Sequence, residues 1–256
     1  MCELFSILSH SVYQYSKDFR VTDQVRQEFD QHGYIVLKGV LDKEEVSLVE
    51  KTIGGSDAIT KHKFGDFVDG GRKTDTVLWK HPGNDVTGMV SRSEKVAGIA
   101  EQLLGGEVYH YHTKLMLKEG GRGAKHAWHQ DYSYWYWNGC LFPDMLTVFI
   151  PLDDCRKENS CLQILRGSHK CGRIHHKTVG EQNGCDVERI EELKEMPSFS
   201  IVTSYTAVVK TTAIKGGGLS SRPTTERLTT LPKYTITLSI PRSRRFRILQ
   251  SRSART

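Results

Sequence analysis

The sequence predicts a mainly β fold with flanking helices, in the α+β class. Residues 107–118 alternate strictly between two sets of side chains, as expected of a strand. Residues 91–104 place apolar side chains at helical spacing. Near the N-terminus, a helix, a strand and a second helix follow one another. A chain of 256 residues, of which 38% are hydrophobic, can bury one large core, so we expect one domain with extensions.

The N-terminal elements are predicted from caps and from β-branched content. Residues 1–21 have no periodic pattern and are expected to form a loose leader. Residues 23–29 predict a short helix with Thr22 as its N-cap. The aromatic and β-branched run at 34–38 predicts a strand. Residues 42–50 begin with a capping aspartate and predict the second helix.

The middle of the chain combines a polar segment with the alternating strand. Residues 54–83 are polar and glycine-rich, and we interpret them as a long loop with short strands. On the strand that follows, His110, His112 and Lys114 share one face. A face with these side chains either contacts water or lines a polar cavity, and the pattern alone leaves both open.

A His-X-Asp pair lies at the centre of the chain. His129 and Asp131 are two residues apart, so on an extended strand both side chains project to the same face. They are two parts of the 2-His-1-carboxylate triad that binds non-haem Fe(II) and leaves positions open. By itself such a pair is more often a surface feature of a strand. An aromatic run at 132–137 and an apolar strand at 146–152 follow it, and this context favours the metal site.

These segments also resemble a known family. WHQDYSYWYWNGCLFPDMLTVFIPLDD and ENSCLQILRGSHK are similar to the phytanoyl-CoA dioxygenase family of Fe(II)/2-oxoglutarate-dependent oxygenases, and the resemblance extends over residues 29–195. It implies a double-stranded β-helix, also called a jelly roll or cupin-like fold. It implies Fe(II) with 2-oxoglutarate as cosubstrate, the iron ligands being His129 and Asp131 and the candidate cosubstrate contacts being Lys114, Thr147 and Phe149.

Other interpretations of these residues stay open. Lys114 could be an exposed charge at a sheet edge, and Phe149 could be an ordinary core residue. The aromatic run could form the floor of a substrate pocket or pack in the core. His169 is a conceivable third ligand, but it lies in a segment that resembles a structural turn of the family. His110 and His112 are expected to lie near the site or at the surface rather than to bind the metal.

The end of the chain departs from the family pattern. The family carries a second iron histidine far downstream, followed by an arginine for the 2-oxoglutarate carboxylate, whereas this chain has no histidine after His176. Residues 197–256 are rich in Thr, Ser and Arg and match no strand pattern of the family. We therefore expect a jelly roll that is incomplete at its C-terminus, with unpaired strand edges, and an impaired oxygenase.

Codon degeneracy suggests a cause for this departure. FSIVTSYTAVVK, residues 199–210, can be encoded so that the frame one nucleotide earlier encodes FFHSNLLHSSSK, which is similar to the family's ending. We interpret the tail as the family's C-terminal coding sequence translated in a shifted frame. In this interpretation the codon of the missing histidine straddles Tyr205 and Thr206. The expected organisation is a leader, an oxygenase domain and an aberrant basic tail, at residues 1–21, 22–196 and 197–256.

Composition restricts the possible partners. The net charge of +6 is concentrated in the tail, and an Arg-rich tail alone is weak support for nucleic-acid binding, so no nucleic acid is expected. No apolar run approaches the ~20 residues of a membrane span. The first ten residues lack the features of a signal peptide, and Ala254-Arg255-Thr256 is not a peroxisomal signal. Six cysteines without CxxC pairs indicate reduced thiols.

We therefore expect a cytoplasmic, monomeric enzyme without a membrane partner. Its expected reactants are a small-molecule or acyl substrate, molecular oxygen and 2-oxoglutarate. A non-catalytic relative, which keeps the fold as a binding or regulatory protein, is the alternative from another class. Formation of succinate coupled to substrate turnover distinguishes the two.

Overall fold

A computed structural model of the chain describes residues 11–68, 72–117, 126–153, 161–204, 207–210, 213–217 and 234–241. The helices are α1 Asp23–His32, α2 Lys43–Gly54, α3 Asp57–Lys61, α4 Val86–Arg92, α5 Ile99–Leu104, α6 Asp131–Trp137 and α7 Val187–Glu195. The strands are β1 Val12–Gln14, β2 Tyr34–Lys38, β3 Phe64–Val68, β4 Arg72–Trp79, β5 His112–Leu117, β6 His126–Gln130, β7 Met145–Pro151, β8 Leu162–Arg166, β9 Lys177–Val179, β10 Gln182–Gly184, β11 Ser200–Ser204, β12 Ala207–Lys210, β13 Ile214–Gly217 and β14 Tyr234–Pro241. None of the described helices has the length and apolar character needed to cross a lipid bilayer.

The strands form two main sheets and one small pair. The large sheet has eight strands in the order β1-β2-β12-β7-β14-β5-β4-β3, and the small sheet has four in the order β11-β8-β13-β6. β9 and β10 form a separate hairpin. All neighbours in the two main sheets are antiparallel except β1 and β2, which are parallel.

The predicted N-terminal helices and strand are confirmed. The hydroxyl of Thr22 accepts a hydrogen bond from the Val25 amide and caps α1, which ends at Gly33 in the left-handed conformation. Asp42 and Glu45 form a reciprocal capping box at the start of α2. The expectation of a loose leader is wrong for residues 12–14, because β1 pairs with β2. Three residues are too few to show a period in the sequence.

The middle of the chain is more regular than the sequence indicated. The segment at 54–83, predicted as a long loop with short strands, contains the antiparallel pair β3 and β4 and, in addition, the helix α3. The single helix predicted over 91–104 is interrupted at Ser93 and continues through a π-helical turn into α5. The alternating strand begins at His112, five residues later than its sequence pattern. The glycine-rich residues 119–123 also predict a turn, and they lie outside the described residues.

The expectation of a fold that is incomplete at its C-terminus, with strand edges left unpaired, is wrong for the described part of the tail. Its described residues supply β11 and β13 to the small sheet and β12 and β14 to the large sheet. Val208 of β12 pairs with Val148 of β7, and Lys215 of β13 pairs with His129 of β6. Strand pairing uses backbone N–H and C=O groups, so a Thr- and Val-rich segment can supply it without the family's motif. Residues 205–206, 211–212, 218–233 and 242–256 of the tail lie outside the described residues.

The core is divided between the two faces of the large sheet. Leu146, Val148 and Ile150 of β7 belong to the main core, where helices cover the outer face. Thr147 and Phe149 alternate with them and point to the opposite, inner face. On this inner face, smaller apolar clusters join the two sheets, for example between β2, β12 and Ile164 of β8 or between β7 and Leu162. α7 covers the outer face of the small sheet.

Candidate metal centre

His129 and Asp131 meet at the end of β6. Nε2 of His129 lies 3.4 Å from Oδ1 of Asp131. The sequence predicted both on one strand, but β6 ends at Gln130 and Asp131 is the first residue of α6. The two donor atoms nevertheless face each other, because the chain turns into the helix directly after the strand. Both side chains are largely enclosed, with 19% of the His129 side chain and 12% of the Asp131 side chain exposed.

A backbone carbonyl orients the His129 ring. Nδ1 lies 2.8 Å from the carbonyl oxygen of Ala127, which can only accept, so Nδ1 carries the proton and donates it. In the neutral ring, Nε2 therefore keeps its lone pair and points it toward Asp131. Such a carbonyl partner is the usual way in which a protein fixes the tautomer of a metal-binding histidine.

Asp131 is held through its other oxygen. Oδ2 accepts hydrogen bonds from Oγ1 of Thr147 at 2.7 Å and from Nζ of Lys215 at 2.6 Å. Burial by itself would raise the pKa of this carboxyl, but the charge of the Lys215 ammonium and its hydrogen bond to Oδ2 outweigh burial. The pKa of Asp131 therefore lies well below its ordinary value, and the group is an anion at neutral pH.

Lys215 was not predicted as part of the site. It lies on β13 directly opposite His129 of β6, and cross-strand partners project to the same face of a sheet. Only 6% of the residue is exposed. A single lysine ahead of three glycines in the tail gives no sequence signal for this position. Its contact with Asp131 depends on the pairing of β13 with β6.

The three predicted cosubstrate residues share the inner face of the large sheet. Thr147 contacts the site directly through Asp131. Phe149 is buried in a small apolar cluster with Cys161. Lys114 is half-buried on β5 and close enough to His112 to influence its pKa. The structure thus places one of the three against a predicted metal ligand.

The other histidines near the site are engaged elsewhere or neutral. Burial lowers the pKa of His112 to about 4, and its ring packs on Trp135 at 4.6 Å between centroids. Burial also lowers the pKa of His176 to about 4, and Nε2 of His176 accepts a hydrogen bond from the backbone N–H of Gln130. His169 lies 2.8 Å from the Asp30 carbonyl at the end of α1, in a turn, as the resemblance implied.

The residue between the predicted ligands has a structural role that the sequence did not indicate. Gln130 is fully buried, and Nε2 of its side-chain amide donates a hydrogen bond to the Gly172 carbonyl at 2.7 Å. Its amide oxygen accepts from the Ile174 backbone and from Ser133. These bonds fasten residues 172–176 beside His129 and α6. The aromatic run, for which the sequence left a pocket floor and core packing open, forms α6, with Tyr132 buried and Trp137 exposed.

The residues present supply part of a ferrous iron site. One imidazole nitrogen and one carboxylate oxygen match two of the three ligands of the facial triad. Across the part of the chain that the structure describes, no group of three or more His, Cys, Asp or Glu side chains could hold a metal ion. The third side chain at the carboxylate is the Lys215 ammonium, which carries a positive charge. The donor set therefore fits Fe(II) at two positions and disagrees with it at the third.

A mixed sheet-and-helix fold with a His-X-Asp pair on its inner face is the arrangement expected of a 2-oxoglutarate oxygenase. The pattern of the phytanoyl-CoA dioxygenase family matches residues 29–203. This match extends over more than half of the chain. The chain belongs to the phytanoyl-CoA dioxygenase family.

Curated relatives agree with this assignment. L-proline trans-4-hydroxylase of Streptomyces griseoviridis is 31% identical over 149 residues, which are 57% of this chain and 54% of the relative. Ectoine dioxygenase of Stutzerimonas stutzeri is 27% identical over 161 residues, 59% of this chain and 51% of the relative. The chain thus spans about half the length of the curated relatives it matches.

Solved structures show the same fold. EctD from S. alaskensis with bound Fe superposes with a TM-score of 0.68 at 21% identity, covering 92% of this chain and 82% of EctD. EctD with 2-oxoglutarate and 5-hydroxyectoine gives a TM-score of 0.66, also at 21% identity, covering 92% of this chain and 81% of EctD. At this level of identity the similarity establishes the fold.

Proposed function

We propose that this chain carries the fold and two of the three iron ligands of an Fe(II)/2-oxoglutarate-dependent oxygenase that hydroxylates a small molecule. The observation that carries this proposal is the approach of His129 Nε2 to Asp131 Oδ1 at 3.4 Å. The His129 tautomer leaves this nitrogen free to bind a metal. Family membership supports the same chemistry.

We further propose that the two sheets are those of a double-stranded β-helix. The run β12-β7-β14-β5 of the large sheet and the run β11-β8-β13-β6 of the small sheet each contain four antiparallel strands. Consecutive strands from β5 to β8 alternate between the two sheets, as expected of a jelly roll. The inner clusters that join β2, β7, β8 and β12 are consistent with two sheets that face each other.

In this proposal each residue has a defined task. Fe(II) would be held by His129 and Asp131, and when bound it supplies activation of molecular oxygen for the oxidative decarboxylation of 2-oxoglutarate and hydroxylation of the substrate. The Ala127 carbonyl keeps the His129 proton on Nδ1, and the Thr147 hydroxyl orients Asp131. Lys114 is the candidate cation for the distal 2-oxoglutarate carboxylate, and Phe149 is the candidate apolar contact for its carbon chain.

The substrate class is proposed from the relatives. Proline and ectoine, after which the two relatives are named, are small polar molecules. A small polar substrate is thus favoured over an acyl substrate, which the family name suggested. The protein is proposed to act as a monomer in the cytoplasm, without nucleic acid or membrane as partner.

The tail is proposed to impair this activity. The division into an oxygenase domain at 22–196 and a frame-shifted tail at 197–256 rests on the absence of histidine after His176 and on the codon argument. Transcript sequencing across the junction near Pro197 tests it. Transcripts that contain no open frame for FFHSNLLHSSSK would contradict the shifted frame.

A specific observation favours a second candidate function. Lys215 occupies Oδ2 of Asp131 with a positive charge, and a third ligand is missing from the described residues. A binding or regulatory protein that keeps the fold without turnover would have such a site. This candidate predicts ligand binding without succinate formation.

Anaerobic titration with Fe(II) and 2-oxoglutarate, followed by visible absorption, tests the proposal. We expect weak binding to this chain, tighter binding to the chain with the restored frame, and no binding to either chain after His129→Ala. Succinate formation with a panel of small amino acids should appear only with the restored chain. If His129→Ala leaves metal binding unchanged, the proposed centre is wrong.

A further inference from the structure

We propose that Lys215 is an internal counter-ion of Asp131 that competes with a divalent metal for this carboxylate. The inference rests on the proposed function, since it assigns the metal to His129 and Asp131. The low metal affinity of this chain then has two causes: the third ligand of the triad is missing from the described residues, and Asp131 is already paired with Lys215. The chain thereby neutralises its own metal ligand.

The geometry shows one carboxylate shared between two uses. Oδ1 of Asp131 faces Nε2 of His129 at 3.4 Å, which is the metal-binding side. Oδ2 is bonded to Nζ of Lys215 at 2.6 Å. The distance between the two carboxylate oxygens is fixed by covalent bonds, so a metal at Oδ1 would lie close to the ammonium. Two positive charges that share one buried carboxylate repel each other strongly.

The contact is built into the fold. Lys215 is fixed by the backbone pairing of β13 with both β6 and β8. The side chain of Lys215 is 8% exposed and that of Asp131 is 12% exposed, so water screens the pair poorly. Thr147 holds the same oxygen from the large sheet. A surface lysine could swing away from an incoming metal, whereas this ammonium would have to leave its ion pair with Asp131 within the sheet interior.

The charge of Asp131 is therefore neutralised, and its Oδ2 is occupied, before any metal arrives. It has an ammonium and a hydroxyl on Oδ2 and the His129 imidazole beside Oδ1. Replacing Lys215 by the uncharged and similarly long methionine leaves a buried carboxylate that requires a cation. A divalent metal held with His129 can meet this requirement.

Calorimetric titration with Co(II), which is stable in air, tests the inference. Lys215→Met should bind Co(II) with a Kd lower by about tenfold or more than the unaltered chain. Lys210→Met is the matched control. Lys210 lies on β12, the tail strand that precedes β13, and the substitution removes its ion pair with Asp30 of α1. This control should keep the original Kd. A Kd of Lys215→Met within about twofold of the original overturns the inference.

Thermal unfolding with and without Co(II) provides a second test, which can also be applied if Lys215→Met is too unstable for calorimetric titration. Without metal, Lys215→Met should unfold at a lower temperature than the unaltered chain, because Asp131 has lost its cation. Co(II) should raise the midpoint of Lys215→Met by more than it raises that of the unaltered chain. Asp131→Asn/Lys215→Met, which has no charge at either position, should show no such gain. If Co(II) fails to stabilise Lys215→Met, the inference is overturned.

His129→Ala separates this inference from the proposed function. If His129→Ala abolishes Co(II) binding while Lys215→Met binds no more tightly than the unaltered chain, the metal centre stands and the role of Lys215 is wrong. If His129→Ala/Lys215→Met binds as tightly as Lys215→Met, the metal is bound elsewhere. The proposed function and the inference then fail together.

Discussion

The Nζ atom of Lys215 lies 2.6 Å from Oδ2 of Asp131, although the two residues are 84 positions apart in the chain. The pair joins the tail to the His-X-Asp segment at the centre of the site. Both side chains are almost fully enclosed, so neither charge can rely on water if the other is removed. Local stability and metal affinity therefore depend on the same contact.

Asp131→Asn should destabilise the metal-free chain by about 3–5 kcal/mol, because it leaves the Lys215 ammonium buried without a carboxylate. Urea unfolding followed by circular dichroism measures the change. Asp30→Asn is the control, since its pair with Lys210 is largely exposed on the Asp30 side and should cost no more than about 1 kcal/mol. If both variants lose the same free energy of unfolding, the buried pair contributes no more to stability than the exposed pair. Asp131→Asn/Lys215→Met should recover most of the loss.

Thr147→Val should destabilise the chain by about 1.5–3 kcal/mol, because the side chain keeps its shape but loses its hydrogen bond to the charged Asp131. Thr147 is fully buried, so water cannot replace the donor. Thr147→Ser keeps the hydroxyl and should recover part of the stability. The measurement is urea unfolding in metal-free buffer. A valine variant as stable as the serine variant would argue against the role of this hydroxyl.

Gly33→Ala should destabilise the chain by more than about 1 kcal/mol, since alanine is strained at the positive φ of this position. Gly33 ends α1 at φ +85°, and an added Cβ would lie 2.4 Å from Nδ1 of His169. Gly54→Ala is the matched control, because Gly54 ends α2 and an added Cβ would meet nothing within 4 Å. Differential scanning calorimetry should show a lower midpoint for the first variant and an unchanged or higher midpoint for the second. The reverse order would contradict the description of the α1 terminus.

Acidification should destabilise the metal-free chain between about pH 6.5 and pH 4 through His112. Burial lowers the pKa of His112 to about 4, whereas an unfolded histidine titrates near 6.5. In this window the unfolded chain binds the proton and the folded chain does not, so stability falls as pH falls. His176 contributes in the same direction, with its pKa also lowered to about 4. His112→Asn should therefore show a smaller difference in urea midpoint between about pH 7 and pH 5. An unchanged difference would exclude His112 as a source.

Local features of the fold could be predicted from the sequence. The caps at Thr22 and Asp42, the strand at Tyr34–Lys38 and the alternation of the strand that contains His112 depend on neighbouring residues, and a single sequence displays them. The boundaries were less certain, because a π-helical turn interrupts the predicted helix and β5 begins late. These shifts depend on packing against other elements.

The His-X-Asp pair could also be found in the sequence, since its spacing, its aromatic context and the family resemblance all point to the same residues. How its two donor atoms meet could not be predicted. Asp131 begins a helix, and its position depends on the buried amide of Gln130 and the hydroxyl of Thr147. Those contacts come from segments that are distant in the sequence.

By itself the sequence thus determined the family, the helix caps and the two candidate ligands, because each is encoded by residues close together in the chain. Only the tertiary structure decided that the tail supplies strands to both sheets and that Lys215 reaches Asp131. Strands pair through backbone N–H and C=O groups, and every residue except proline carries both. The pairing of the tail strands could therefore not be predicted from their side chains. Once β13 is paired with β6, its register with His129 places Lys215 at the site.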